Sequence, residues 1–554
     1  MAFVDDYPGE AKVVRACIAV AATALGIGAL FGVIQALHRT GYLRIIPSSQ
    51  YYTVLTGHGV LLALIFTIFF LCAIFTWGVT ASLGRPLPNP RFTWAWFWTM
   101  LVGTVMAAAA ILGGFVQEVP MEADVMYTFY APLQAHPVFY IGLALFVIGT
   151  WLAGLDWFRA WWRWRADNPG ERMPLRTFMV LTTMIMWYLS SAGVAVEVVV
   201  FMIPWSLGLV PEVNPLLTRS LFWYFGHAVV YFWLLPAYLI WYAIVPKLAD
   251  GRLFSDSLTR VVFIAFLLLS TPVGFHHQYL DPGVTEGYKF LAMTNTMFLL
   301  FPSLLTAFTV VASIEYGARQ RGGTGYVSWL RNLPWDEPAF AGCALAGVMF
   351  AAGGFSGMIN AGMNINYLVH NTAWVPGHFH LTVGTAVALT LMAGTYWLFP
   401  RISGKEIKHE TLALIQPYLW FLGVTLFSNA LHREGLAGVP RRTAAPTYRN
   451  VEYTGAIGGF GEMQLQVAIG GTLMFLSVTL YLFVLLRSWM GERVELETEA
   501  IPEPLSGPED GPAVLDNLAL WTGLAVLLVL IAYVVPLADI ASDGLFQAGT
   551  LLLP

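Results

Sequence analysis

Apolar segments long enough to cross a lipid bilayer recur along the whole chain. A helix needs about 20 apolar residues to span a hydrocarbon core of roughly 30 Å, and a spanning helix satisfies its own backbone hydrogen bonds. Only 11% of the 554 residues are charged and 57% are hydrophobic, which excludes a soluble domain of this size. The sequence therefore predicts an all-α membrane protein that forms one polytopic domain over residues 1–554. About thirteen transmembrane helices are expected, near residues 12–37, 51–79, 92–116, 137–158, 176–203, 219–245, 259–280, 288–314, 337–359, 367–399, 411–431, 460–487 and 515–536.

The distribution of lysine and arginine predicts how these spans are oriented. Most of the 28 basic residues lie in loops that follow even-numbered spans, and cytoplasmic loops carry the excess of positive charge. We therefore expect a cytoplasmic N-terminus. Arg441 and Arg442 fall on the outer side, against this trend. Segment 488–514 is rich in proline and glutamate, and its composition predicts a solvated linker before the last span.

Seven of the eleven histidines fall inside the predicted bounds, with His370 at the edge of the tenth span and the other six in compact motifs. A polar side chain is costly in a bilayer core, so an intramembrane histidine is a candidate functional residue. With the predicted orientation and a rise of about 1.5 Å per residue, all six reach a similar depth in the outer half of the bilayer. Imidazole ligands without thiolates suit haem iron, copper or zinc. These histidines are His58, His227, His276, His277, His378 and His380.

His378 and His380 are separated by one residue in the motif PGHFH. Residues i and i+2 of a helix point about 200° apart, so the two imidazoles cannot readily bind one ion. They can instead hold different cofactors on opposite sides of one helix. His58 is then available to pair with one of these two histidines on a six-coordinate iron.

His276 and His277 are adjacent and would point about 100° apart on a regular helix. Pro272 and Gly274 precede them, and a local irregularity there would let both reach one metal, with His227 as the third ligand. The six imidazoles then divide into three for one metal, two for a six-coordinate iron and one for a five-coordinate iron. A five-coordinate iron that faces a three-histidine metal is suited to bind and reduce a small diatomic molecule.

Four motifs resemble those of subunit I of the haem–copper oxygen reductases. They are GHAVVYFW at 226–233, STPVGFHHQ at 270–278, HNTAWVPGHFHL at 370–381 and VPRR at 439–442. The similarity covers nearly the whole chain and is strongest with the B-type, ba-type cytochrome c oxidases. It implies a terminal respiratory oxidase of a prokaryotic plasma membrane that reduces dioxygen to water, takes up protons and pumps them. It also implies a partner subunit II with a dinuclear copper centre, which passes on electrons from cytochrome c.

The resemblance also assigns the six histidines to cofactors. It implies that His58 and His380 are axial ligands of a low-spin haem, of b-type. It further implies that His378 is the proximal ligand of a high-spin haem, of a-type. The copper ion called CuB would be bound by His227, His276 and His277.

Several residues beside these ligands match the family as well. Tyr231 follows His227 by one helical turn and resembles the tyrosine that becomes covalently linked to that histidine and supplies an electron and a proton. Two departures are present: Ala228 stands where proline is common, and Asn366 stands where close relatives carry an aspartate. The residues that match contacts of the haem propionates or the nearby water pool are Arg441, Arg442, His370 and Asn366.

Proton delivery from the inner side is expected to use hydroxyl groups. Val229 occupies the position, two residues after His227, at which A-type relatives carry a glutamate. Two polar stripes at helical spacing run inward and predict a hydrogen-bonded file of water, which Ser255 in the following inner loop would extend. Such a file fits the single K-type path that the resemblance implies. The stripes consist of Tyr231, Tyr238 and Tyr242 in the sixth span and Ser303, Thr306 and Thr309 in the eighth.

Two other functions fit parts of this pattern. A nitric oxide reductase has a non-haem iron held by three histidines and a nearby glutamate, because iron favours a harder oxygen ligand. The sixth span contains Tyr231 but no glutamate. A secondary transporter could use histidines as a proton relay, but transporters are typically built from internal repeats, and no repeat of fixed period is visible. The net charge of −5 argues against a nucleic-acid partner.

Overall fold

The computed structural model describes residues 3–116, 121–495 and 500–547. This part of the chain contains thirteen helices that are long and apolar enough to cross a membrane, which confirms the predicted number. Shorter helices include Met363–Val369 and Val451–Ala456. The thirteen long helices are α1 Pro8–Thr40, α2 Ser48–Leu83, α3 Pro90–Gly113, α4 Pro137–Asp167, α5 Leu175–Ser206, α6 Pro215–Leu248, α7 Asp256–Gln278, α8 Glu286–Gln320, α9 Pro338–Ala361, α10 Trp374–Ser403, α11 Glu410–Leu436, α12 Phe460–Trp489 and α13 Leu518–Ser542.

Proline and asparagine residues define where several helices begin. The helices α3 and α6 start with Pro90 and Pro215, and the side chains of the preceding Asn89 and Asn214 accept hydrogen bonds from the first turn. Proline suits a first turn because the N–H that it lacks would have no partner within the helix. Polar caps of this kind extend the helices beyond the apolar segments. Most spans are therefore longer than the sequence predicts.

The helices α6 and α10 lie at the centre of the bundle. In their most apolar stretches, 89% of the α6 residues and 83% of the α10 residues are buried, compared with 22% in α13. Small residues allow close packing elsewhere, since a Cβ on Gly103 of α3 would lie 2.5 Å from the carbonyl oxygen of Gly142 in α4. Because α6 and α10 carry His227, His378 and His380, half of the candidate ligands lie on the most buried helices.

The predicted start of the tenth span at residue 367 is wrong. Residues 363–369 form a separate short helix, which ends at His370 because the backbone there is extended (φ −61°, ψ 133°). The N–H of Ala373 donates a 2.8 Å hydrogen bond to the carbonyl oxygen of Val439, and α10 begins at the next residue. This hydrogen bond to a distant segment turns the chain before α10 begins. His370 and Asn366 therefore lie outside α10.

The described part of segment 488–514 contacts the predicted cytoplasmic ends of the helices. The N–H of Leu505 donates to the carbonyl oxygen of Leu253 at 2.7 Å, and Ser506 forms a parallel bridge with Ser255. The side chains of residues 500–514 are exposed or half-buried. This segment lies across the start of α7, held mainly by its backbone. The orientation itself, with a cytoplasmic N-terminus, stays a prediction from the positions of lysine and arginine.

Candidate active site

His227 on α6 and His276 and His277 at the end of α7 form a compact cluster. Their ligating nitrogens lie within 4.8 Å of one another, and His227 Nδ1 is 3.2 Å from His277 Nε2. Two nitrogens bound tetrahedrally to one ion at about 2.0 Å would lie roughly 3.3 Å apart. The cluster thus has the dimensions of a metal site. Among the residues that the structure describes, it is the only group of three or more potential metal ligands.

The last turns of α7 bring the two adjacent histidines together. Residues Thr271–Gln278 form a 3-10 segment in which Pro272 has a non-helical backbone (φ −95°, ψ 31°). Gly274 approaches α6 so closely that a Cβ there would lie 2.2 Å from the carbonyl oxygen of Trp223. The N–H of Gly274 also donates to the Tyr533 hydroxyl at 2.7 Å. Proline and glycine therefore provide the irregularity that turns both imidazoles toward α6.

Two side chains that the sequence analysis missed orient these imidazoles. Thr296 Oγ1 on α8 lies 2.6 Å from His276 Nδ1, which leaves Nε2 of that ring free for a metal. Trp223 stacks on His277, with ring centroids 3.8 Å apart and planes 8° from parallel. The i, i+4 spacing of Trp223 and His227 is a sequence signal for the tryptophan. No sequence signal indicates Thr296, because its distance from His276 depends on how α8 packs against α7.

Tyr231 lies beside the cluster on the same face of α6. Its ring centroid is 4.9 Å from that of His227, and the two planes are 61° apart. On its other side, the tyrosine ring packs against Phe266 of α7 at 5.1 Å. A phenol is therefore held next to the three imidazoles, as the i, i+4 spacing of Tyr231 and His227 predicts.

His58 of α2 and His380 of α10 face each other. Their ring centroids are 6.3 Å apart and their planes 16° from parallel, whereas two axial imidazoles with nitrogens about 2.0 Å from one ion would have centroids roughly 6 Å apart. His58 Nδ1 is 2.9 Å from the carbonyl oxygen of Gly28, and His380 Nδ1 is 2.7 Å from that of Pro376. A carbonyl oxygen only accepts hydrogen bonds, so both Nδ1 atoms carry hydrogen. Each Nε2 keeps its lone pair for a metal.

A cavity of about 300 Å³ contains these two facing rings. Its wall is formed mainly by aliphatic and aromatic side chains of α1, α2, α10, α11 and α12, and three arginines also line it: Arg39, Arg441 and Arg442. A haem requires an apolar wall for its macrocycle and cations for its propionates. The cavity supplies both, together with two facing imidazoles, so these residues fit a six-coordinate haem.

His378 makes its contacts on α9, on another side of α10. Its Nδ1 is 3.0 Å from the carbonyl oxygen of Gly353 and 2.9 Å from Ser356 Oγ. A Cβ on Gly357 would lie 2.9 Å from His378 Cε1, so the imidazole occupies the space that this glycine leaves. The contacts of His378 on α9 and the orientation of His380 toward the cavity agree with the i, i+2 spacing. Ser356 was missed by the sequence analysis.

The remaining candidate cofactor contacts lie outside the spans. His370 Nδ1 is 3.0 Å from Asn366 Oδ1, and Arg441 Nη2 donates to Asn371 Oδ1 at 2.9 Å. Burial and the nearby Arg441 lower the pKa of His370 to about 4, so this imidazole is neutral near pH 7. Burial and the neighbouring Arg442 lower the pKa of Arg441 to about 9. Two adjacent guanidinium groups in this setting favour an anionic partner.

The predicted polar stripes of α6 and α8 meet inside the bundle. The Tyr242 hydroxyl donates to Thr306 Oγ1 at 2.7 Å. The Tyr238 hydroxyl lies close to Ser303 and Thr306 of α8. The two helices therefore bring the hydroxyls of Tyr238, Tyr242, Ser303 and Thr306 into one polar strip.

The stripe on α8 continues to Ser313, which the sequence analysis missed. Both Thr309 and Ser313 are fully buried. Ser313 Oγ donates to the carbonyl oxygen of Thr309 at 2.6 Å and accepts the N–H of Phe254 at 2.9 Å. Ser255 comes next in the chain, and its hydroxyl caps the start of α7. Extending the helical spacing by one more turn would have found Ser313.

Comparison with known proteins identifies relatives that align with most of this chain. The family described as "Cytochrome C and Quinol oxidase polypeptide I" matches residues 12–491. Cytochrome c oxidase subunit 1 of Thermus thermophilus is 42% identical over 544 residues, which cover 96% of this chain and 94% of the relative. Alternative cytochrome c oxidase subunit 1 of Bradyrhizobium diazoefficiens is 25% identical over 473 residues, or 79% and 75% of the two chains.

A solved structure has the same fold. The cryo-EM structure of a haem–copper terminal oxidase dimer superposes on this chain with a TM-score of 0.90 and 35% sequence identity, covering 98% of this chain and 96% of that one. The predicted fold class and the resemblance are thus confirmed. The chain therefore belongs to the cytochrome c and quinol oxidase polypeptide I family, which is subunit I of the haem–copper oxidases.

Proposed function

We propose that this chain is the catalytic subunit of a B-type cytochrome c oxidase, which reduces dioxygen to water in a prokaryotic plasma membrane. The observation that carries this proposal is the three-histidine cluster beside Tyr231. His378 lies near His227 and His276, on a helix that packs against α6. Ligands for two metals and a proton-donating phenol therefore come together at one place, as reduction of a diatomic molecule requires.

The donor atoms suit three cofactors. The three-histidine cluster would hold CuB, because imidazoles without thiolates suit copper. His58 and His380 would hold a low-spin haem of b-type, and His378 would hold a high-spin haem of a-type. When bound, these groups accept single electrons and bind dioxygen. The chain itself orients four of the imidazoles through hydrogen bonds at Nδ1, those of His58, His276, His378 and His380. It also keeps the Tyr231 proton beside the cluster.

Electron supply is proposed to involve a second subunit. The relatives are named as subunit 1 of cytochrome c oxidase. We expect a subunit II with a dinuclear copper centre to receive electrons from cytochrome c and to pass them to the haem at His58 and His380. The propionates of the haems would be held by Arg441, Arg442, His370 and Asn366.

Proton supply is proposed to follow the polar strip between α6 and α8. The direct contact of Tyr242 with Thr306 supports this path, and the absence of a carboxylate at position 229 leaves the hydroxyls as the carriers. Proton pumping is proposed from the family resemblance, with Asn366 in the place of the aspartate of relatives. In order from the α7 end, the path would contain Ser255, Thr309, Tyr242, Thr306, Ser303, Tyr238 and Tyr231.

A nitric oxide reductase is the related alternative. It would require a carboxylate beside the three histidines. Within the described residues no aspartate or glutamate joins the cluster, and its polar neighbours include the hydroxyls of Tyr231 and Thr296. The cluster therefore favours copper and dioxygen.

The deciding experiment combines metal analysis with optical spectroscopy of the purified complete enzyme. We expect two irons and three coppers per complete enzyme, one copper at the three-histidine cluster and two in the dinuclear centre of subunit II, and a reduced spectrum in which one haem binds carbon monoxide and the other does not. Oxygen consumption with reduced cytochrome c should accompany these signals. Iron without copper would support the nitric oxide reductase, and a colourless protein would support a transporter.

A further inference from the structure

One face of α1 lies along the cavity that contains His58. Gly28, Gly32, Gln35 and Arg39 follow the spacing i, i+4, i+7 and i+11, which places them on the same side of the helix. Gly28 supplies the carbonyl oxygen for His58 Nδ1, and a Cβ on Gly32 would lie 2.9 Å from His58 Cε1. Arg39 ends this face in the last turn of α1, where its side chain also lines the cavity.

The Arg39 guanidinium binds the chain on both sides of the paired arginines. Its Nη1 donates to the carbonyl oxygen of Thr443 at 2.7 Å and to Thr443 Oγ1 at 2.9 Å. Its Nη2 donates to the carbonyl oxygen of Pro440 at 2.5 Å. Pro440 and Thr443 directly flank Arg441 and Arg442. The planar fork of an arginine can hold two such acceptors at a fixed separation, which a lysine cannot do.

The opposite side of this loop is fixed by the entrance of α10. The N–H of Arg441 donates to the carbonyl oxygen of Asn371 at 2.9 Å, and its side chain also contacts Asn371 Oδ1. Arg442 has a positive φ of 63°, a conformation that most residues with a side chain disfavour. Such a backbone persists only where its surroundings hold it. Arg39 supplies three hydrogen bonds to Pro440 and Thr443, which flank the arginine pair.

We propose that Arg39 is a positioning residue, which clamps the 440–443 loop and thereby aims Arg441 and Arg442 at the propionates of the haem held by His58 and His380. This inference rests on the proposed haem. One helix face would then control both ends of that cofactor, since Gly28 sets the proton position on an axial imidazole and Arg39 sets the cations. The midpoint potential of the low-spin haem would then depend on Arg39, which lies outside the four family motifs.

The test is an optical redox titration of the low-spin haem in the complete enzyme, together with amide hydrogen exchange of residues 437–443. Arg39→Ala is expected to lower the midpoint potential, because withdrawing cations from the propionates favours ferric iron, and to speed exchange of the loop. Arg39→Lys keeps the charge but not the fork, so it should restore the potential only in part. Thr443→Val removes no charge, and a smaller shift in the same direction is expected.

Two control variants distinguish the positioning role of Arg39 from the effect of its charge. Arg44→Ala removes an exposed cation from the loop that follows α1 and should leave both measurements unchanged. In an Arg441→Ala, Arg442→Ala background, Arg39→Ala should shift the potential no further, because residues that act through one another are not additive. Full recovery in Arg39→Lys, an additive shift in the triple variant, or an unchanged potential in Arg39→Ala would overturn the proposal. A wild-type enzyme without a low-spin haem would instead refute the proposed function.

Discussion

The imidazoles of His58 and His380 face each other with centroids 6.3 Å apart and planes 16° from parallel. They come from α2 and α10, and each donates through Nδ1 to a backbone carbonyl oxygen. His378, two residues before His380, makes the corresponding contact on α9. One helix therefore presents two imidazoles in the same protonation state to different surroundings, which allows two separate haems.

Removing these imidazoles one at a time should separate the two haem signals. We expect His380→Ala to lose the low-spin haem while a haem that binds carbon monoxide remains. His378→Ala should lose carbon monoxide binding and keep the low-spin spectrum. Optical spectra of the reduced enzyme with and without carbon monoxide measure both effects. Loss of both haems from a folded variant would contradict the assignment of one haem to each histidine.

Adding a methyl group at Gly357 should disturb only the haem at His378. A Cβ there would lie 2.9 Å from His378 Cε1, and overpacking of this kind costs about 1–3 kcal/mol. We expect Gly357→Ala to weaken carbon monoxide binding by roughly tenfold, with the low-spin haem unchanged. Gly354→Ala is the matched control on the same helix, since a Cβ at this position meets nothing within 4 Å. Equal effects of the two variants would show that α9 itself is the sensitive element.

Thr296 should contribute to copper binding although it is not a ligand. Its Oγ1 lies 2.6 Å from His276 Nδ1, and loss of such an orienting partner typically costs 10–100-fold in metal affinity. Thr296→Val should therefore lower copper occupancy during dialysis against a chelator, with both haem spectra retained. Thr294→Val removes an exposed hydroxyl from the same helix, which bonds only its own backbone, and should retain copper. Identical copper retention in both variants would rule out this role.

Thr306 should matter for turnover without affecting any cofactor. Thr306→Val keeps nearly the same volume but removes the hydroxyl that accepts from Tyr242. We expect oxygen consumption to fall at least several-fold with haem and copper contents unchanged, and Tyr231→Phe to be more severe because it also removes a reacting proton. Thr425→Val, which deletes an exposed hydroxyl on α11, serves as control. Full activity of Thr306→Val across the pH range would place the proton path elsewhere.

The sequence by itself determined the architecture and which histidines lie together. A spanning segment must satisfy its own backbone in lipid, so every span is visible as an apolar run. Histidines stand out in these runs because lipid makes them costly. The spacing of His378 and His380 then directs the two imidazoles to different sides of α10 by helical geometry alone. The beginning of α10 is not visible in the sequence, because it is set by the hydrogen bond from Ala373 to Val439, two residues far apart in the chain.

Only the tertiary structure decided which polar groups orient the imidazoles and the arginine loop. Thr296, Ser356 and Arg39 lie on α8, α9 and α1, and their partners are 20, 22 and up to 404 residues away in sequence. Thr294, two residues from Thr296, bonds only its own helix, yet the two threonines are chemically identical. Whether a hydroxyl reaches an imidazole depends on the distance and rotation between packed helices. Those quantities are set by the side chains of the whole bundle rather than by any local pattern.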